Sequence, residues 1–257
     1  MAGWTLITGA SSGIGWALAE RFAIDGHRLI ISGSDSARLD EAAARLHQSY
    51  GIEVRALVED LSVPGAGTRL AAMAAREGLQ VDCLVNNAGF GIFGAFPYGD
   101  KVAERNMLQV NMIALVELTR AFLEPMQARG LGRILNVAST AAFQPGPYFA
   151  LYYASKSFVL SFSLALRQEL RNSGVTVTVL CPGSTRTGFN LRAGVKDSIL
   201  LRLTSMEAGP VAAAGYRGLM RDKAKVIPGF GNKISALAAK LLPVSLIAWG
   251  LARVQKP

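Results

Sequence analysis

The sequence predicts an α/β fold: a doubly wound parallel sheet with helices on both faces, followed by a helical C-terminal extension. Three observations predict it. Strand-length apolar runs alternate with helix-period segments from Trp4 to Leu180 with no linker or repeat between them, and such alternation implies parallel strands joined by right-handed helical crossovers. Glycines and polar residues gather where these strands end, the edge at which open sheets bind ligands. At 257 residues and 51% hydrophobic, the chain has enough apolar material for one large core.

The first strand, 4–8, runs straight into Gly9-Ala10-Ser11-Ser12-Gly13-Ile14-Gly15, and a helical pattern carried by Ile14, Leu18 and Phe22 continues to Gly26. The glycines therefore occupy a strand-to-helix turn, where the backbone can approach a pyrophosphate and the helix N-terminus offers unpaired N–H groups and a favourable dipole. The spacing is Gly-x-x-x-Gly-x-Gly rather than the Gly-x-Gly-x-x-Gly fingerprint, although the mechanics are the same. Tight packing alone is the other reading of such a turn. Strands then follow at 28–32, 53–59, 82–86, 133–138 and 175–180, with helices at 36–49, 64–78, 100–129 and from Tyr152 to Arg171 between them.

Asp60 closes the third strand, where a carboxylate can accept a hydrogen bond from an adenine amino group; Asn86-Asn87-Ala88-Gly89 closes the fourth, and Ser139 the fifth. Tyr152 and Lys156 are four residues apart and share one helix face. A free phenol ionises only near pH ~10, so a neighbouring ammonium is expected to favour the phenolate and fit it for proton transfer.

Together these residues resemble the short-chain dehydrogenase/reductase family over residues 4 to 190. The resemblance rests on Thr8-Gly-Ala-Ser-Ser-Gly-Ile-Gly15, Asp60-Leu61, Asn86-Asn-Ala-Gly89, Asn111, Ser139, Tyr152-x-x-x-Lys156, and Pro182-Gly183 followed by Thr187. It implies a Rossmann-like sheet of about seven strands, the last at 225–227, and a catalytic tetrad of Asn111, Ser139, Tyr152 and Lys156. In those roles Ser139 polarises a carbonyl, Tyr152 transfers the proton, Lys156 lowers the tyrosine pKa and binds the nicotinamide ribose, and Asn111 holds a water. The implied cofactor contacts are Gly9, Ser11, Ser12, Gly13, Ile14 and Gly15 in the glycine turn and Ser34 after the second strand. Asp60, Leu61, Asn87, Ala88 and Gly89 follow on the next two strands, then Tyr152, Lys156, Pro182, Gly183, Thr185 and Thr187. A cofactor-binding regulatory protein without chemistry is the alternative, against which all four tetrad positions are filled.

NADP(H) is favoured over NAD(H). The second strand ends Ile31-Ser32-Gly33-Ser34-Asp35, with no carboxylate where NAD enzymes of the family carry one, and with a hydroxyl and Arg38 available to a 2′-phosphate. Asp35 is the residue that argues for NAD(H). The substrate is expected to be a lipophilic carbonyl compound or secondary alcohol, because Phe90, Ile92, Phe93, Phe96, Phe143 and Phe149 flank the motifs. Arg186 and Arg192 can serve an anionic group, and the alternative is that the aromatics are core.

The domain is expected at 1–230, with a substrate lid at about 186–222 (its mobile part at 189–203), and the extension at 231–257. The net charge of +9 lies wholly in the last part of the chain: residues 1–185 hold 15 Lys/Arg and 15 Asp/Glu, residues 186–257 hold 12 and 3. The 18 residues of 234–251 are apolar except for Lys240 and two serines, and Pro243 divides them. A central lysine is costly in a spanning helix of ~20 residues, so two short amphipathic helices are expected. They either lie on an anionic membrane surface with Arg217, Arg221, Lys223, Lys225, Lys233, Arg253 and Lys256, or pack on protein. Nucleic acid binding is not expected, nor is a metal site, and His27 and His47 read as surface or loop residues. Cys83 and Cys181 read as buried thiols, which together with the lack of a secretory pattern suggests the cytoplasm. The family resemblance implies a homodimer or homotetramer through the helices at 100–129 and 152–172.

Overall fold

A computed structural model describes residues 3–195 and 205–254. Its centre is a seven-stranded parallel sheet in the order β3-β2-β1-β4-β5-β6-β9. The strands are β1 (Trp4–Thr8), β2 (Arg28–Gly33), β3 (Val54–Val58), β4 (Val81–Asn86), β5 (Gly132–Val137), β6 (Val175–Leu180) and β9 (Lys225–Val226). The order reverses between β1 and β4, and the carboxyl ends of those two strands open a crevice.

The near-continuous apolar runs of the strands follow from burial on both faces. Ile7, Ile31, Val85 and Leu135 point to one side, where they pack with α1 (Gly13–Ile24), α2 (Ser36–Tyr50) and α8 (Ala208–Met220). Leu6, Ile30, Leu84 and Ile134 point to the other, against α3 (Ala66–Arg76), α5 (Leu115–Arg129) and α6 (Ala150–Glu169). The helical stretch expected at 100–129 is continuous but not uniform. It comprises α4 (Lys101–Leu108), a π-helical segment Gln109–Ala114 and α5. The π segment carries Asn111, and such wide turns are frequent at functional sites.

Within the region 186–222, β7 (Thr185–Arg186), α7 (Phe189–Arg192) and β8 (Met206–Glu207) lie near the crevice, whereas in α8 Val211, Ala212 and Leu219 are fully buried on the sheet. The apolar face of α8 makes it scaffold. Most of the expected mobile part, 196–203, lies outside the described residues, as does Lys256. His27 lies in the turn before β2, as expected of a surface or loop residue, and is half-buried with its ring edge-on to Phe22 and Tyr216.

The extension forms α9 (Phe230–Leu241) and α10 (Val244–Val254). Leu242 is extended, as the residue before Pro243 must be, and this ends α9. Among the described residues no helix is long and apolar enough to cross a membrane. Cys83 and Cys181 are free and buried.

Candidate active site

The glycine turn is built by close approach. Gly9 and Gly13 have φ of +64° and +59°, a region that favours glycine, and a Cβ on Gly15 would fall 2.1 Å from the Gly9 carbonyl oxygen. Ser12 heads α1 without a side-chain cap, and no acidic residue stands in the first turn. The N–H groups and positive dipole end thus face the crevice with no carboxylate competing for them, the chemistry an anion requires.

Thr8 and Asn87 join this turn to the end of β4. Thr8 Oγ1 accepts from the Asn87 and Ala88 backbone N–H groups at 3.1 and 3.0 Å. Asn87 Nδ2 donates to the carbonyls of Thr8 and Gly9 at 2.8 and 3.2 Å. The two strand ends at the reversal point are therefore held rigidly together. Thr8 opens the glycine motif, but its clasp on β4 is a long-range contact that no local pattern announces.

On the opposite wall stand Ser139, at the end of β5, and Tyr152 and Lys156 on α6. Ser139 Oγ accepts from the Ala141 N–H at 3.1 Å and donates to the Pro182 carbonyl at 3.4 Å, and it stands close enough to the Tyr152 phenol to favour the phenolate. Lys156 Nζ donates to the Val137 carbonyl at 3.0 Å and lies 5.8 Å from the Tyr152 ring centroid. The expected acidification of Tyr152 by Lys156 is not found in the chain alone. Burial pushes the phenol up to about 12, only partly opposed by Ser139, and burial pushes the Lys156 ammonium down to about 8. Desolvation penalises the charged form of each group, so at neutral pH the phenol holds its proton.

Asn111 lies behind the crevice wall and is almost fully buried. Its Nδ2 donates to the Phe90 carbonyl at 3.0 Å and to Ser155 Oγ at 3.1 Å, while its Oδ1 accepts from the Phe90 N–H at 3.1 Å. Ser155 Oγ donates in turn to the Tyr152 carbonyl at 2.7 Å. The Asn111 side chain spends both amide hydrogens on protein, pinning the chain after Gly89 to the first turn of α6. Ser155, inside the Tyr-x-x-x-Lys interval, is the linking residue that the sequence reading passed over.

The crevice has a volume of about 910 Å³. Every expected cofactor contact lines it: the glycine turn, Ser34, Asp60, Leu61, Asn87 to Gly89, Tyr152, Lys156, Pro182, Gly183, Thr185 and Thr187. Ser139 lines it too, and of the tetrad only Asn111 does not. Ser32, also in the lining, has a buried hydroxyl with no hydrogen-bond partner, a polar atom left for a bound group.

Phe90, Phe93, Phe149 and Phe189 form the apolar part of the wall, with Arg192 at its edge. Three expected aromatic or aliphatic contacts lie elsewhere. Phe143 packs with Val159 and Cys181 under the Lys225 ammonium, and Phe96 is 63% exposed and, like Ile92, lines a separate small pocket. Chain neighbourhood to a motif put them on the list; the turn at Thr140–Phe143 and the loop after Gly91 turn them away. Arg186 pairs with Glu207 at 2.7 Å. Asp35 accepts from the Arg38 N–H at 3.1 Å as the cap of α2 and pairs with the Arg38 side chain at 3.3 Å, and neither residue lines the crevice. Among the described residues no group of three or more His, Cys, Asp or Glu is placed to hold a metal.

A family model described as short chain dehydrogenase matches residues 3–196. Over 229 residues the chain is 38% identical to 1-deoxy-11-beta-hydroxypentalenate dehydrogenase of Streptomyces exfoliatus, covering 85% of this chain and 80% of that protein. The matches to other curated relatives cover less of their length, 59% in one case and 61% in another. A short-chain dehydrogenase of Sphingobium yanoikuyae in complex with NADPH superposes with a TM-score of 0.83 at 34% identity, covering 93% of each chain. A short-chain dehydrogenase/reductase of Burkholderia phymatum in complex with NAD gives a TM-score of 0.83 at 25% identity, covering 93% of this chain and 94% of that one. With the family model spanning the first six strands of the sheet, the glycine turn and the tyrosine–lysine helix together, the chain belongs to the short-chain dehydrogenase family.

Proposed function

We propose that this protein is an NADP(H)-dependent oxidoreductase that interconverts a lipophilic carbonyl compound and its secondary alcohol, with Tyr152 as general acid and base. The observation that carries the reading is one crevice in which Ser139, Tyr152 and Lys156 stand across from an uncapped helix N-terminus. A nicotinamide dinucleotide, when bound, supplies or accepts the hydride. Its pyrophosphate suits the N–H groups at Gly13, Ile14 and Gly15, its adenine Asp60 and Leu61, and its nicotinamide end Asn87 to Gly89, Lys156, and the segment from Pro182 through Thr185 to Thr187.

The chain's own groups handle the proton. Ser139 donates a hydrogen bond to the substrate oxygen and draws charge onto it, and Tyr152 gives its phenolic proton to that oxygen as carbonyl becomes alcohol. In oxidation the phenolate takes the hydroxyl proton back. Lys156 keeps its charge at neutral pH and favours the phenolate left after donation, while Asn111 and Ser155 position the α6 turn that carries both residues.

The preference for NADP(H) rests on Ser34 at the crevice mouth, on Gly33 where a carboxylate would oppose a 2′-phosphate, and on the diversion of Asp35 to the α2 cap. The preference for a lipophilic substrate rests on Phe90, Phe93, Phe149 and Phe189; the Streptomyces relative, named as a dehydrogenase of a hydroxylated pentalenate, is consistent with it. Exposed Val102, Ile113 and Leu164 on α4, the π segment and α6 offer apolar surface for a second copy, as in a dimer or tetramer. A carbonyl and alcohol panel with NADPH and NADH, read as nicotinamide absorbance, tests the activity. Tyr152→Phe is expected to lower turnover by at least about a hundredfold while NADPH still binds; near-normal turnover by that variant refutes the assignment.

A further inference from the structure

We propose that α9 and α10 dock the protein on the surface of anionic lipid membranes. On α9, Phe230, Ile234, Leu237 and Leu241 follow one another at intervals of four, three and four residues and so form a single stripe. They are 80%, 52%, 58% and 75% exposed. Ala236 and Ala239, on the opposite side of the helix, are buried, in part against the Thr140–Phe143 turn. The stripe therefore faces away from the body of the protein. Helix α10 adds further apolar surface: Val244, Leu246 and Trp249 are 63%, 53% and 55% exposed, and no residue from 244 to 253 is buried. Large apolar side chains concentrated on one exposed surface mark an interaction site.

Charge identifies the occupant. No Asp or Glu occurs after Asp222, whereas Lys233 and Lys240 flank the α9 stripe and Arg253 stacks its guanidinium 3.7 Å from the Trp249 ring centroid. Lysines beside an apolar stripe can extend their ammonium groups to lipid phosphates while their stems lie in the apolar layer, and tryptophan favours the same boundary. A second copy would bring an equally basic surface against this one, with no carboxylate of the extension to answer it. Neither helix is long enough to span a bilayer, and Pro243 divides them, so they lie in the interface plane. The inner side of α9 borders the crevice, since a Cβ on Gly183 in its wall would fall 2.2 Å from Asn232 Oδ1. The inference does not depend on the reaction assigned above.

Flotation of the full chain with phosphatidylcholine vesicles, and with vesicles that also contain phosphatidylglycerol, tests it without substrate or cofactor. The protein is expected to float with the anionic vesicles and to stay below with the neutral ones. Lys233→Gln/Lys240→Gln is expected to weaken partitioning by roughly tenfold. Ile234→Asp/Leu237→Asp, at positions already in water, is expected to abolish flotation while the thermal midpoint stays within a few degrees. Failure of the wild type to float with either vesicle overturns the proposal, as does equal flotation with both. Loss of a dimer on introducing Ile234→Asp/Leu237→Asp, without vesicle binding by the wild type, assigns the face to a second copy instead.

Discussion

At Tyr152 the loss of water outweighs every nearby charge, and the phenol is pushed up to about 12; at Lys156 the same loss pushes the ammonium down to about 8. Four residues of helix place the two side chains on one face, a relation visible in the sequence, but how far the phenol is desolvated depends on residues distant in the chain, such as Phe189 of α7, whose ring centroid lies 5.3 Å from that of Tyr152. A raised phenol pKa keeps the acid form populated, which suits reduction, and starves oxidation of its base. Alcohol oxidation is therefore expected to rise about tenfold in kcat/KM per pH unit through the neutral range, while carbonyl reduction stays flat there. A pH profile of both directions checks this, and a fall of oxidation with rising pH contradicts it. Gly33 offers a second prediction at this scale: the nearest atoms to a Cβ there are 3.7 and 3.9 Å away, so a larger side chain fits. Gly33→Asp is expected to weaken NADPH binding by about tenfold or more and to spare NADH, read by titrating each cofactor.

Between elements, a buried amide chain ties the sheet to its helices. Asn86 Nδ2 donates to Thr119 Oγ1 on α5 at 3.1 Å and to Asn136 Oδ1 on β5 at 2.9 Å, and Asn136 Nδ2 donates to Ser163 Oγ on α6 at 2.9 Å. Asn136 interrupts an apolar strand, the one sign in the sequence that a partner awaited it. Asn136→Ala is expected to cost about 1–3 kcal/mol, because Asn86 and Ser163 each lose one of their partners in a dry interior. In a chain of this size that lowers the thermal midpoint by about 2–4 °C per kcal/mol, which calorimetry reads. Asn136 does not line the crevice, so KM is expected to hold. The π segment was not legible beforehand. An extra residue in one turn changes the hydrophobic period too little to register, yet it carries Asn111, whose side chain holds Phe90 and Ser155.

Across the whole molecule, burial on both sheet faces protects both thiols: Cys83 and Cys181 are each pushed up to about 12 by desolvation. Neither is expected to react with an aromatic disulfide reagent at pH 8 until denaturant is added, when both do. The sequence alone determined the strand and helix alternation and the glycine turn, because periodicity and strand-end position are local properties, while the crevice residues from Gly9 to Thr187 came from the family resemblance. The sequence also placed the break at Pro243, since proline acts on its own neighbour. Tertiary structure alone decided which aromatics reach the crevice, that α8 is scaffold, that Asp35 caps a helix, and that the phenol is held protonated. Each of these depends on water being excluded, or a partner supplied, by residues far away in the chain.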